Sequence, residues 1–279
     1  MRRRAGLLAL LALSAIPTLA ADINRPPRTH ETMVLQTPCF SDHREKFYLD
    51  LLKAALKAIR QPARIVCQDD LPGRRMWKMM GEDKIDLIWG MQTPDKDKQL
   101  VPIEVDLTNG LAGQRVLLIR PQNQKDFDGV NSVAGLRGKH LVAGFGEGWF
   151  DAAVWKANDL PVVELPGRFS LIYSMVAVAN RGIDYLPRGG NEIVAEAAAH
   201  RELVIEKHLL FNYNRDMRFY LSPRAARHKA VIEAALKHAE TSGLKNRLIE
   251  LNFGADLKRL GLAQRRRIEL QAPMKEHSN

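Results

Sequence analysis

The chain is poor in cysteine, with two in 279 residues, and in aromatic side chains, which make up 6% of it. Two cysteines cannot build a disulfide-dense scaffold, so the core must hold itself together by packing. Scarce aromatics, with basic residues scattered along the chain, exclude a nucleic-acid module that needs stacking platforms in a charged groove. Beyond the first twenty residues no stretch is apolar for long enough to span a bilayer. Glycine and proline, at 19 and 14, lie near ordinary usage, which excludes a fibrous or low-complexity chain. Common catalytic spacings are missing as well: there is no Gly-x-Ser-x-Gly elbow, no His-Glu-x-x-His pair and no Cys-x-x-Cys. The eight histidines are dispersed, so neither a metal site nor a cofactor is expected.

What is present is ordinary globular material. At 46% apolar, the chain is long enough for one large domain or two lobes with real cores. Its amino terminus has a signal-peptide layout over 1–21. Met1 to Arg4 are positive, Ala5 to Ile16 are apolar, and Pro17 to Ala21 offer a small-residue cleavage site. Cleavage after Ala20 or Ala21 is expected, leaving a soluble periplasmic protein with 39 basic against 32 acidic residues. No cysteine follows the apolar run, so no lipid anchor is expected. Cys39 and Cys67 each end an extended segment, and these segments are neighbours if the helix between them is a right-handed crossover. In an oxidising compartment a disulfide is then open to them, and so is a pair of buried thiols.

Along the mature chain, extended runs alternate with helical periodicity. A strand around Met33 is followed by Asp42 and Glu45 at capping-box spacing, then by Phe47, Leu51, Leu52, Ala55, Leu56 and Ile59 at helical intervals. A strand ending at Cys67, a short helix from Arg74 to Met80 and a buried strand over 85–89 complete a first series. Leu111 to Arg120 reads as a long strand. A second series then runs through strands at 139–145, 161–165 and 183–186, with helices at 149–157 and 170–180. Met217 to Leu221 is extended again, Ser222-Pro223 opens a helix that stops at Gly243, and a last helix spans 244–251. The tail with Arg265, Arg266 and Arg267 reads as polar and frayed. Such alternation implies parallel sheets with helices on their faces. Two series imply two lobes with a cleft between them, where small ligands bind. Within the second series Gly144-Phe145-Gly146-Glu147-Gly148-Trp149 joins a strand to a helix. Trp149 replaces the third glycine of a dinucleotide fingerprint, so the expectation is a tight turn, one that could offer free backbone N–H groups to an anion.

Several soft motifs occur in a fixed order: Arg74 to Met80 followed by Gly81 to Leu87, Thr93-Pro94-Asp95-Lys96, and Gly113 to Ile119. Val133 to Lys139, Asn180-Arg181-Gly182-Ile183-Asp184 and Ser242-Gly243-Leu244 continue the series. With them, from Met33 to about Phe253, the chain resembles the type 2 periplasmic solute-binding proteins of the family that includes the polar amino-acid receptors of ABC importers. The resemblance implies an α/β fold of two lobes, each a mostly parallel sheet flanked by helices, with a two-stranded hinge near 115–120 and 217–221. Lobe one would comprise 22–120 with 213–279, and lobe two 121–212. Ligand contacts would come from Phe40, Trp89, Gln92, Thr93 and Lys96 on the first lobe. The second would add Glu147, Gly148, Trp149, Tyr185 and Arg188.

This chain departs from that family at the ligand. Lys96 stands where the receptors have a carboxylate-gripping arginine, and Tyr185 to Gly189 lack the aspartate that holds the ligand's ammonium. Arg188 in that place points instead to an anionic solute. The expected partners are a small-molecule ligand and an ABC permease or membrane sensor, with the receptor a monomer and no enzyme. The alternatives are a dehydratase-like enzyme on the same scaffold, with Glu147 as its acid or base, and a ligand-free sensor or assembly component.

Overall fold

The computed structural model describes residues 31–39, 43–68, 73–166, 170–178 and 182–273. The expected signal peptide, Phe40 and the last six residues lie outside these. Among the described residues twelve strands and ten α-helices follow one another, the strands in hydrogen-bonded ladders of two, seven and three, the two smaller of which lie side by side as the first sheet, and no helix is long and apolar enough to cross a membrane.

The first sheet begins with β1 (Met33–Pro38) and β2 (Ala63–Gln68), parallel and joined by α1 (His43–Ala58). After α2 (Gly73–Gly81) come β3 (Leu87–Met91), α3 (Pro94–Gln99) and β4 (Val101–Pro102), and β11 (Met217–Leu221) lies antiparallel between β3 and β4. Asp86 joins the two groups of strands. Its N–H donates to Gln36 O at 2.8 Å, and its carboxylate accepts from Gln36 N at 2.8 Å and from Arg224 Nη2 at 2.7 Å. The apolar positions read as helical in the sequence, Phe47, Leu51, Leu52, Ala55 and Leu56, are buried against Leu87, Phe219, Ile232 and Leu236.

The second sheet has the order β12-β10-β5-β8-β6-β7, with β9 beside β5. Its strands are β5 (Gln114–Ile119), β6 (Ala143–Gly146), β7 (Val162–Leu165), β8 (Tyr185–Gly189), β9 (Val204–Ile205), β10 (Leu209–Asn212) and β12 (Arg266–Glu269). Helices α4 (Gln124–Phe127), α5 (Val133–Arg137), α6 (Phe150–Ala157), α7 (Leu171–Val178) and α8 (Ile193–Ala199) accompany it. Alternation along β5 sends Leu117 and Ile119 into one core, with Phe145, Trp155 and Phe211, and Val116 and Leu118 into another, with Ile172 and Leu186. A strand covered on both faces carries an unbroken apolar run.

β5 and β12 therefore belong to the second sheet, although the expected boundaries at 120 and 213 put both in lobe one. The crossings lie before β5 and between β10 and β11, at 108–113 and 213–216, and not within the strands at 115–120 and 217–221. They touch where Tyr213 N–H donates to Gly113 O at 3.1 Å, and a Cβ on Gly113 would stand 2.3 Å from Tyr213 O, so only glycine fits. The chain then runs through α9 (Lys229–Thr241) and α10 (Leu244–Leu260). Phe253 of α10 sits in the first core and Leu260 in one of the second sheet's cores, so α10 reaches from one sheet to the other. Beyond it β12 pairs in parallel with β10. The expectation of a frayed tail at 265–267 is thus corrected: Ile268 and Leu270 are buried, and Arg265 donates to Glu206 O and Leu209 O.

Candidate functional site

The turns that the resemblance assigns to the ligand follow β3 on the first lobe and β6 on the second. On the first lobe, β3 leads through Gln92 and Thr93 into α3. Thr93 caps that helix by accepting Lys96 N–H at 3.3 Å, with Pro94 in the first turn, an arrangement that contributes about 1 kcal/mol. The cap brings Lys96 back over the strand end. Its Nζ donates to Met91 O at 3.2 Å and stands 5.2 Å from the centroid of Trp77. Trp77 approaches because position 90 is glycine; a Cβ there would lie 2.9 Å from two ring carbons. Trp89 stacks on Tyr48 with centroids 5.4 Å apart. Gln92, Thr93 and Lys96 therefore share one corner, and Trp77, which the sequence reading left in a helix face, joins them; Trp89 is corrected, since it points to the other face of β3 and is buried in the first core against Tyr48 and Phe219. The Gln92 side chain is committed to Asp97, whose other oxygen accepts from Tyr220 OH at 3.0 Å.

That corner is tied to the crossings by Asp216. Its carboxylate accepts N–H groups from Thr108 at 3.2 Å, Gly110 at 2.6 Å and Met217 at 2.6 Å, together with the Thr108 hydroxyl. Its own carbonyl accepts Gln92 N–H at 2.9 Å. Burial pushes the Asp216 carboxyl above its ordinary range, against the pull of these hydrogen bonds.

On the second lobe the turn after β6 differs from its expectation. Glu147 N–H donates to Leu165 O at 2.9 Å, Gly148 N–H to the Glu164 carboxylate at 3.2 Å, and Trp149 N–H to Gly146 O at 3.1 Å. Of the Gly146 to Gly148 N–H groups expected to meet an anion, those of Glu147 and Gly148 are spent within the protein. Glu147 and Gly148 are exposed, and Trp149 is half-buried against the second core.

Arg188 is the second correction. It is buried, with Nε and Nη2 each 2.7 Å from a different oxygen of Glu196 and Nη2 also 2.8 Å from Glu192. Its guanidinium lies 4.7 Å from the centroid of Trp149. Burial opposes its charge, but the two carboxylates outweigh it and raise its pKa. The expected ligand cation is thus paired inside the protein through Nε and Nη2. The signal was in the sequence, since glutamates four and eight residues on lie along α8 and its entry. Tyr185 is corrected by direction: β8 runs from Tyr185 to Gly189, so Tyr185 is at the end away from the crossings. There it is fully buried, accepts Trp155 Nε1–H at 3.0 Å and packs edge-on against Phe127.

Beside Arg188 stands a second pair the sequence reading missed. Arg115, opposite Gly189 in the β5–β8 register, donates through Nη2 to Asp151 at 3.2 Å and through Nε to its other oxygen. Tyr213 OH donates to Asp151 at 2.6 Å. Burial alone would raise the Asp151 carboxyl, yet the Arg115 charge and these hydrogen bonds hold it below its ordinary range. The second-lobe edge thus carries Arg115 and Arg188 against Asp151, Glu192 and Glu196, an excess of one negative charge. Among the described residues no group of three His, Cys, Asp or Glu side chains is arranged to hold a metal. The Cys39 and Cys67 sulfurs are bonded, joining the ends of β1 and β2 beside the first-lobe turn.

No family model matches the chain, and no curated protein matches it in sequence. Solved structures do. A mutant of ArgBP from T. maritima gives a TM-score of 0.55 at 20% identity, covering 80% of this chain and 95% of its own. AbpA of Streptococcus pneumoniae, an amino acid ABC transporter substrate-binding protein bound to L-arginine, gives 0.53 at 14% identity over 81% of this chain and 96% of its own. The ancestral amino acid-binding protein AncCDT-1, a precursor of cyclohexadienyl dehydratase, gives 0.57 at 14% identity over 80% of this chain and 95% of its own. At such identities the likeness is one of fold: this chain has the two-lobed type 2 periplasmic binding protein fold, shared over most of its length with amino-acid ABC transporter substrate-binding proteins.

Proposed function

We propose that this chain is an exported receptor that captures a small polar solute between its lobes by hinge closure and hands it to an ABC permease. The observation that carries the reading is the pair of buried carboxylates: Asp216, in the second crossing, binds the first crossing and the Gln92 turn, and Asp151, at the start of α6, binds Tyr213 of the second crossing and Arg115 of β5. Motion at the crossings is thereby transmitted to the turns, as a hinged receptor requires. The same arrangement disfavours an enzyme. Glu147, the residue a dehydratase-like mechanism would use, is on an exposed turn, and the buried carboxylates nearby are held by arginines, tyrosine or backbone.

An anionic solute remains the reading on the first-lobe side, where Lys96 would meet its negative group. The second lobe no longer supports a purely anionic one, because Arg188 is closed off by two glutamates and the turn N–H groups are occupied. An edge with three carboxylates to two guanidiniums suits a solute that also carries a positive group. The class favoured is a zwitterion of the amino-acid type, in keeping with the solved relatives that bind amino acids. Its carboxylate would lie toward Lys96 and its ammonium toward the second lobe.

Thermal melts against a panel of amino acids, dicarboxylates and polyamines test this. A rise in midpoint with a zwitterion, lost in Lys96→Ala, is expected, the variant binding at least about tenfold more weakly. Stabilisation by dicarboxylates alone would restore the anionic reading, and turnover of a panel member would favour the enzyme.

A further inference from the structure

Away from the cleft, the first sheet ends in β2, and its outer edge is open among the described residues. Met33 N–H donates to Pro62 O at 2.9 Å and Cys39 N–H to Gln68 O at 3.2 Å, so the even-numbered residues of β2 face β1. The bond between Asp86 N–H and Gln36 O fixes the other side of β1 in the same sense. Ala63, Ile65 and Cys67 consequently turn their N–H and C=O groups outward, and β2 pairs with no described strand but β1.

The surroundings of that edge are basic. At the start of β2 a cavity of about 350 Å³ is lined by Lys53, Leu56, Lys57, Arg60, Pro62 and Ala63, so that an apolar floor is rimmed by cations. Lys53 and Lys57 are one turn apart on α1, a like-charge spacing that works against the helix. Arg64 extends the charge along the strand. All four cations are exposed, and none makes an ion pair or side-chain hydrogen bond with the described residues.

We infer that the β2 edge is a docking site for an acidic, extended peptide segment of a partner protein, which adds as a further strand. Backbone groups of Ala63, Ile65 and Cys67 would supply the pairing, the cavity would take one apolar side chain, and the four cations would select acidic neighbours. A second copy of this chain is a poor occupant, since pairing β2 with itself brings Arg64 and its neighbouring cations together. A concave, apolar-floored cavity also fits a peptide side chain better than a flat anionic bilayer. The inference does not depend on what the cleft binds.

Fluorescence anisotropy with the labelled peptide acetyl-Glu-Val-Glu-Phe-Glu-Val-Glu-amide tests it on the mature chain. Saturable binding is expected, weakened by salt and reduced at least about tenfold in the Lys57→Glu, Arg60→Glu double variant. Melts of that variant check that it folds. A peptide N-methylated at alternate amides, which keeps the charges but removes the pairing groups, should bind no better than background. No anisotropy change, equal binding of a lysine-for-glutamate peptide, or full binding of the N-methylated one overturns the inference. So does capture by phosphatidylglycerol vesicles without peptide binding, or dimerisation abolished by the double variant.

Discussion

The two lobes solve the same mechanical problem with different chemistry. On the first, Asp216 of the second crossing gathers backbone N–H groups from the first crossing and from Met217, with no counter-cation among the described residues; on the second, Asp151 is held by Arg115 of β5 and Tyr213 of the second crossing. The first arrangement is local and leaves Lys96 turned toward the strand end. The second is a closed ionic network in which every guanidinium has its carboxylate. The comparison teaches that position at a cleft edge does not make an arginine a ligand contact. What decides is whether its charge is already matched inside the protein.

The sharpest way to break that comparison is Arg188→Ala. Removing the guanidinium leaves the buried Glu196 carboxylate, and the half-buried Glu192 beside it, without their cation, so folding should lose about 3–5 kcal/mol, read as a large drop in melting midpoint. A variant that melts like the wild type but binds solute poorly would return Arg188 to the ligand. Next in size is the disulfide, whose sequence separation of 28 predicts about 3.5 kcal/mol on chain-entropy grounds. The Cys39→Ser, Cys67→Ser variant should melt lower by that amount, and thiol counting on unreduced, denatured wild type should find no free thiol.

The smallest effect separates the two carboxylates by sign. Asp151, with its pKa lowered, contributes stability that is present above the ordinary value of 3.8 and is lost as pH falls through the folded value. Asp216, with its pKa raised, contributes stability that is present below 3.8 and is lost as pH rises through the folded value. In melts carried down into the acid range, Asp151→Asn should therefore flatten the loss of stability and Asp216→Asn should steepen it. Matching slopes in the two variants would remove the distinction between the lobes.

Much of this architecture was legible because it is periodic. The α1 stripe and the β5 run follow from spacing alone, and the order of motifs carried the fold. What escaped were features fixed by register between distant strands. The N–H groups of Glu147 and Gly148 are consumed by Leu165 and Glu164 of β7, whose alignment no local pattern reveals. Tyr185 was placed at the wrong end of its strand by a shift of a few residues. The basic run at 265–267 hid the alternation of Ile268 and Leu270, which makes β12 a strand. Glu192 and Glu196 were visible at helical spacing from Arg188, but their pairing depended on the turn at Gly189 directing the chain back across the guanidinium.

The most direct test of the central claim is small-angle scattering of the mature chain with and without the solute that raises its melting midpoint. Hinge closure predicts a smaller radius of gyration in the complex, with no change in Lys96→Ala at the same solute concentration. A stabilising solute that leaves the wild-type scattering curve unaltered would contradict capture by lobe closure.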